Sequence, residues 1–148
     1  MPYELERFID AQRGDYDTAL NEIRQGRKRS HWIWYIFPNI AGLGYSSTSR
    51  YYAIRDLDEA RAYLGNELLR VRLEEISSEL LKLEAGDAVK IMGSPDNLKL
   101  RSCMTLFLKA EPGNRIFASV LDKFFDGEED SRTVEILRSQ AEAANSAK

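Results

Sequence analysis

The segment of residues 67–83 carries the clearest secondary-structure pattern in the chain, and it decides the fold class. Its large apolar residues are Leu69, Leu73, Ile76, Leu80 and Leu83. Steps of three or four residues place these side chains on one side of an α-helix, and that side must be buried against other elements. No segment shows a convincing alternation of apolar and polar residues, the pattern of a half-buried strand. We therefore expect an all-α fold.

Capping and breaking residues divide the rest of the chain into short segments with the same spacing. Asp56, Asp87 and Ser30 are of the type that accepts hydrogen bonds from free N–H groups at a helix start. Ser94 and Pro95 form another start signal, with proline at the first helical position, where its missing N–H costs nothing. The predicted helices span about residues 3–13, 15–25, 31–37, 57–64, 67–83, 95–110, 116–126 and 131–137, with further helical stretches at 46–54 and 88–92.

These segments predict a single compact multihelical domain of about seven to eight short helices over residues 1–140. Gly14 is expected to break the first two helices apart, and Gly26 to stop the second. Residues 141–148 contain no large apolar residue, so we expect a disordered tail there.

Composition excludes several classes of protein. The chain has 148 residues and a net charge of −3, a balance that argues against nucleic acid as a partner. No apolar run approaches the roughly 18 residues that span a bilayer, so no membrane partner is expected. Cys103 is the only cysteine, which excludes an internal disulfide framework and a zinc cluster. We expect a cytoplasmic protein with no metal and no cofactor, and the sequence indicates no particular protein partner.

The segment Ser30–Ile54 concentrates the residues from which a site could be built. It holds the only histidine, both tryptophans and four of the seven tyrosines. Trp32 and Trp34 fall on different faces of a short helix, and their amphipathic rings suit either a core or the wall of a pocket. Core packing is the favoured role for most of these rings, with one or two lining a ligand site.

His31 is the best candidate for a catalytic residue, although no catalytic set can be assigned. A histidine changes its charge state near neutral pH, which suits a general acid or base. The alternative that the sequence favours is structural, with the ring packed beside Trp32 or bonded to backbone groups.

Two further features indicate an anion site. Gly42-Leu43-Gly44 precedes Ser46 and a possible helix start, an arrangement that could hold a phosphate, although it lacks the spacing of a nucleotide-binding motif. A tight turn with serine caps is the favoured alternative. Cations could complete such a site, and the candidates are Arg27, Lys28, Arg29, Arg50, Lys99 and Arg101.

Several motifs match a known family in order. They include His31-Trp32-X-Trp34-Tyr35 and Gly42-Leu43-Gly44-X-Ser46, then Gly93-Ser94-Pro95-Asp96, Leu98-Lys99-Leu100-Arg101-Ser102 and Leu121-Asp122-X-Phe124-Phe125-X-Gly127. The chain resembles the bacterial domain-of-unknown-function family numbered eighteen-ten, from about Leu5 to Leu137. The resemblance implies an all-helical fold and no established activity. Asn39 stands where the family pattern leads us to expect glutamine after the proline.

The leading hypothesis is a pocket for a small anionic ligand, a nucleotide or a phosphorylated metabolite. The residues expected to form it are His31, Trp32, Trp34, Gly42, Gly44, Ser46, Lys99, Arg101 and Ser102. Two alternatives stay open, an enzyme that uses His31 as acid or base and a protein-interaction module with aromatic anchors. Some relatives carry the label calpastatin, but we expect no calpain inhibition, since such inhibitors are extended and disordered whereas this chain should pack a core.

Overall fold

Nine helices form the secondary structure of residues 4–146, the part of the chain that the computed structural model describes. They are α1 (Glu6–Arg24), α2 (Ile33–Ile36), α3 (Ser47–Tyr51), α4 (Leu57–Gly65), α5 (Glu67–Lys82), α6 (Ala88–Met92), α7 (Asp96–Ala110), α8 (Arg115–Phe125) and α9 (Ser131–Ser146). Six of the nine have seven residues or more. The all-α fold class predicted from the sequence is confirmed.

The core lies around α7, whose apolar face is fully buried. Leu100, Cys103, Met104 and Phe107 are each 0% exposed. This helix packs against α4, α6, α8 and α9, while α5 packs against α1, α4 and α8. Four residues of the predicted stripe on α5, from Leu69 to Leu80, are buried as expected, and the helix ends at Lys82.

The break predicted at Gly14 is wrong, because α1 runs through it without interruption. The buried face continues past the glycine with Tyr16, Ala19 and Ile23. A Cβ built on Gly14 would meet nothing within 4 Å, so the residue lies on the open side of the helix. A mid-helix glycine costs only about 1 kcal/mol relative to alanine, much less than burial of this apolar face contributes.

Two of the predicted caps are also wrong. No side chain caps α2, which begins at Ile33, and the Ser30 hydroxyl instead donates to the Glu22 carboxylate at 2.6 Å. No side chain caps α7, where Pro95 precedes the first helical residue instead of occupying that position. The caps at Asp56 and Asp87 are confirmed.

The stretch predicted as helix over residues 46–54 is shorter, since α3 ends at Tyr51. Ile54 leaves the helix and forms an isolated parallel bridge with Ile40. Its N–H donates to the Asn39 carbonyl at 2.9 Å, and its carbonyl accepts from the Ala41 N–H at 2.8 Å. The bridge ties the loop before α3 to the chain after it.

The C-terminal helix α9 extends to Ser146, beyond the predicted end of the domain at residue 140. Residues 141–146 are exposed on it, and residues 147–148 lie outside the described part of the chain. The domain boundary and the disordered tail stay predictions. No helix within residues 4–146 is both long enough and apolar enough to cross a membrane.

Candidate functional site

A cavity of about 430 Å³ opens between the loop that precedes α3 and the first turn of α7. Its lining comes from α2 and Phe37, from residues 39–44, from α3 and residues 52–53, from Pro95 and the first two turns of α7, and from Asp130 and Arg132. Segments far apart in sequence therefore meet around one space, and its volume lies in the range of small-molecule sites.

The loop of residues 39–44 forms one wall of the cavity and is closely packed. A Cβ built on Gly44 would lie 2.6 Å from the Cβ of Ser49, so only glycine lets the loop lie this near α3. Gly42 has a φ of +105°, a conformation that other residues rarely adopt. The two glycines thus shape the wall by their lack of side chains.

Aromatic rings supply much of the apolar lining, which includes Trp34, Phe37 and Tyr52. The centre of the Tyr52 ring lies 5.1 Å from the centre of the buried Tyr35 ring. Burial raises the pKa of the Tyr52 hydroxyl. The cavity therefore offers flat apolar surfaces to a ligand.

One lysine and one arginine are held at the cavity by contacts with neighbouring groups. Lys99 places Nζ 5.2 Å from the centre of the Trp34 ring and 3.9 Å from the Asp96 carboxylate. Arg132 donates from Nη2 to the Gly42 carbonyl at 3.3 Å, which links the start of α9 to the loop wall. Both cations are thereby placed beside an apolar wall.

A third cation, Arg50, also lines the cavity. Its side chain makes no hydrogen bond or ion pair within residues 4–146, so its charge is available to a ligand. Asp130 is the single carboxylate among the described lining residues. It accepts from the N–H and hydroxyl of Thr133 at 3.0 and 2.6 Å, which fixes it as the cap of α9. Three cations against one carboxylate give the lining a positive balance.

Arg7 stabilises the segment of residues 51–55, which includes the lining residues Tyr52 and Ala53. Its guanidinium donates to the carbonyls of Tyr51 and Ala53, each at 2.9 Å, and pairs with the buried Glu59 carboxylate at 3.2 Å. Glu59 in turn accepts from the Arg55 N–H at 2.6 Å. This network sets the path of residues 51–55 beside the cavity.

Five of the nine residues predicted for the ligand site line the cavity. They are Trp34, Gly42, Gly44, Lys99 and Ser102. The Ser102 hydroxyl donates back to the Leu98 carbonyl at 3.1 Å, so its proton is already used within α7. Whether any of the five binds a ligand stays a prediction.

The other four predicted residues are not among those that line it. His31 and Ser46 are exposed, and the Ser46 hydroxyl accepts from the Ser49 N–H as the cap of α3. Trp32 is 1% exposed in the core. Arg101 donates to the carbonyls of residues 128 and 129 at 2.9 and 3.1 Å, where it braces the turn before α9.

Sequence reasoning missed Asp130, Arg132 and Tyr52 as lining residues. The helix start at Ser131 placed a cap nearby, but nothing local indicated that α9 would meet a loop ninety residues upstream. No three metal-ligating side chains come together in the described part of the chain. Cys103 is fully buried in the core, and burial raises the pKa of its thiol well above the ordinary value, which disfavours the reactive thiolate.

Comparison with known proteins gives a family and a solved structure. A family model described as "Protein of unknown function (DUF1810)" matches residues 2–137. The crystal structure of the conserved hypothetical protein Rv1873 from Mycobacterium tuberculosis, at 1.38 Å, is 43% identical and superposes with a TM-score of 0.91. The match covers 93% of this chain and 99% of that one. No curated protein matched. The chain therefore belongs to the DUF1810 family, as its motifs had indicated.

Proposed function

We propose that the cavity binds a small organic anion with a flat or apolar body, of the nucleotide or phosphorylated-metabolite class. The observation that carries this proposal is the composition of the lining, in which Arg50, Lys99 and Arg132 stand beside aromatic side chains and only one carboxylate. A ligand with both an aromatic ring and an anionic group satisfies both parts of such a lining.

The contacts of Lys99 indicate how a ligand would be oriented in the cavity. Lys99 lies over the Trp34 ring, and a cation held against an aromatic face is poised to bind an anion whose apolar part extends along the same wall. Its ion pair with Asp96 is long, at 3.9 Å, and therefore leaves hydrogen-bonding capacity unused. Arg50 needs no existing contact to be broken.

The proposal uses fewer of the predicted residues than the sequence suggested. Trp34, Gly42, Gly44, Lys99 and Ser102 belong to it, together with Arg50 and Arg132. His31 and Arg101 are left out because neither lines the cavity, so the proposal assigns no acid or base to it. We also propose the cytoplasm as the location, on the support of a single buried thiol.

A thermal-shift screen against nucleotides and phosphorylated metabolites, at two salt concentrations, tests the proposal. A ligand at about 100 times its dissociation constant adds about 2.7 kcal/mol to the free energy of unfolding. We expect a hit that is weakened in Lys99→Met and unchanged in Lys109→Met. Lys109 is the matched control because it lies on the same helix, outside the cavity, and also has one acidic partner, Glu129 at 3.0 Å.

A screen with no hit would contradict the proposal and favour the protein-interaction module. Leu98 at the cavity is 54% exposed, and Tyr45 beside Gly44 is 74% exposed. Tyrosine is among the residue types that anchor a protein partner, and an exposed leucine would add apolar contact area. A hit that both lysine variants weaken equally would show only general charge attraction and would also contradict the cavity assignment.

A further inference from the structure

A second open groove, of about 490 Å³, lies beside α6 and Gly93, which begins the turn that precedes α7. It is lined by Arg27, Lys28, Val89, Lys90 and Gly93. None of its lining residues is acidic, although the whole chain carries a net charge of −3. Its lining shares no residue with the cavity described above.

A buried carboxylate holds residues 27–30, called the basic segment below, in one conformation at this groove. Glu22 accepts hydrogen bonds from the N–H groups of Arg29 and Ser30 at 2.8 and 3.0 Å, from the Ser30 hydroxyl and from the Trp32 indole. The N–H of Lys28 donates to the Ile91 carbonyl at 2.6 Å, which joins the segment to α6. The backbone of this segment is therefore already ordered before a ligand binds, and the binding cost that remains is the ordering of the exposed side chains.

The cations of the groove divide into one that is used and two that are free. Lys28 is nearly buried and its Nζ lies 2.9 Å from Asp96 and 4.9 Å from the centre of the Trp32 ring. Arg27 and Lys90 are exposed, and within residues 4–146 their side chains make no ion pair or hydrogen bond.

Asp87 is the acidic residue closest in sequence to Lys90. Asp87 precedes α6 and accepts from the N–H groups of Val89 and Lys90 at 3.0 and 3.2 Å, so it serves as a helix cap. It is not part of the groove lining. Two uncompensated positive charges therefore remain in the groove once Asp96 has neutralised Lys28.

We infer that this groove is a second anion site that binds a phosphoryl group through Arg27 and Lys90. A phosphoryl dianion matches two uncompensated cations, and a guanidinium can hold two of its oxygens at once. Lys28 is not one of the two cations assigned to the ligand, because two of its three N–H donors are already used by Asp96 and the Ser30 carbonyl and its charge is paired. The inference does not rest on the function proposed for the cavity.

The test is a titration of the full chain with inorganic pyrophosphate at constant ionic strength, followed by two-dimensional NMR of the backbone amides. We expect saturable shifts at residues 27, 90 and 93, and none at residues 99 and 102 of the cavity. Arg27→Met should weaken the apparent affinity at least about tenfold. Arg115→Met is the matched control, since Arg115 is also exposed and makes no ion pair in the described residues.

Three outcomes would overturn the inference. The first is the absence of a saturable shift up to about 10 mM, because an affinity weaker than that does not define a site. The second is an equal loss of affinity in both arginine variants, and the third is a set of shifts confined to the cavity residues. The last would support the function proposed for the cavity while removing the groove, so the two failures are distinguishable. Lys90→Met provides an independent second variant.

A parallel titration with a nucleoside diphosphate distinguishes the source of the phosphoryl group. Equal affinity for the two probes would assign the groove to phosphate alone. Tighter binding of the nucleoside diphosphate, with the same three residues shifted, would assign it to the phosphates of a larger molecule.

Discussion

The indole Nε1 of Trp32 donates a hydrogen bond of 2.9 Å to the carboxylate of Glu22, and both residues are buried. This contact allows Trp32 to be buried in the core, whereas Trp34, two residues later, lines the cavity. A polar atom that is taken out of water needs a partner, and α1 supplies one ten residues upstream. The same carboxylate fixes the basic segment of the second groove.

Replacing Glu22 by glutamine should destabilise the protein. Three donors share Oε1 and the Ser30 hydroxyl donates to Oε2, so a glutamine that keeps its oxygen at the Oε1 position would force the Ser30 hydroxyl to reverse and accept from the NH2 group, and it would remove the charge that strengthens all four bonds. We expect a loss of about 1–3 kcal/mol in the free energy of unfolding, measured by urea denaturation. A variant as stable as the wild type would show that these bonds contribute nothing net.

Glu22 should also make the free energy of unfolding depend on pH in the acid range. Burial alone would raise the pKa of Glu22, but hydrogen bonds from Ser30, Arg29 and Trp32 outweigh it and hold the pKa at about 2, below the ordinary 4.5. A lowered pKa contributes stability that is fully present above about pH 4.5 and is lost as pH falls toward 2.

The loss attributable to Glu22 over this acid range should amount to about 3 kcal/mol. Urea unfolding of the wild type and Glu22→Gln, compared at pH 6 and near pH 3, measures the larger part of this loss, since the rest falls below pH 3. The gap in stability between the two proteins should narrow at the lower pH. A gap of constant size would contradict the depressed pKa of this carboxyl group.

Two glycine-to-alanine substitutions should have opposite effects. Gly44→Ala places a Cβ 2.6 Å from the Ser49 Cβ, so the loop or α3 must shift, and we expect a loss of about 1–3 kcal/mol. Gly14→Ala meets nothing within 4 Å on the helix surface and should stabilise by about 0.5–1 kcal/mol. Thermal unfolding of both variants checks the pair. A neutral Gly44→Ala would mean that the loop yields easily.

The helices were largely predictable because their signals are local. The stripe on α5 and the caps at Asp56 and Asp87 each depend on residues within one or two turns of each other. The predicted break at Gly14 failed because burial of the neighbouring face, a tertiary effect, outweighed the local preference of glycine.

The site was less predictable because it depends on contacts between distant segments. Gly42 meets Arg132 and Asn39 bonds the Lys99 carbonyl, pairs that no local pattern announces. Lys99 and the Gly42–Gly44 loop, which the sequence suggested as parts of one site, do line the same cavity. The sequence could not determine which of the two tryptophans, Trp32 or Trp34, would be buried.

Arg101→Ala should lower stability without altering the cavity. The guanidinium braces the turn before α9 through the carbonyls of Glu128 and Glu129 and an ion pair of 3.3 Å with the Glu128 carboxylate. We expect a loss of about 1–2 kcal/mol, measured by urea denaturation. Affinity for any cavity ligand should match that of the wild type. A loss of binding with unchanged stability would instead return Arg101 to the ligand site, as the sequence suggested.

Arg7→Ala should be among the most destabilising single substitutions on the surface of α1. It removes the donors for the carbonyls of Tyr51 and Ala53 and leaves the Glu59 carboxylate, 2% exposed, without its cation. An uncompensated buried charge costs about 3–5 kcal/mol. Arg13→Ala, on the same helix with an exposed Asp10 partner, is the matched control and should change stability by less than about 0.5 kcal/mol.

Arg7→Lys refines this prediction. A lysine keeps the charge beside Glu59 but cannot reach both carbonyls and the carboxylate with one ammonium group, so stability should recover only in part. Amide hydrogen exchange of residues 51–55 should then accelerate, since their path depends on the guanidinium. Full recovery in Arg7→Lys would show that charge alone holds this wall of the cavity.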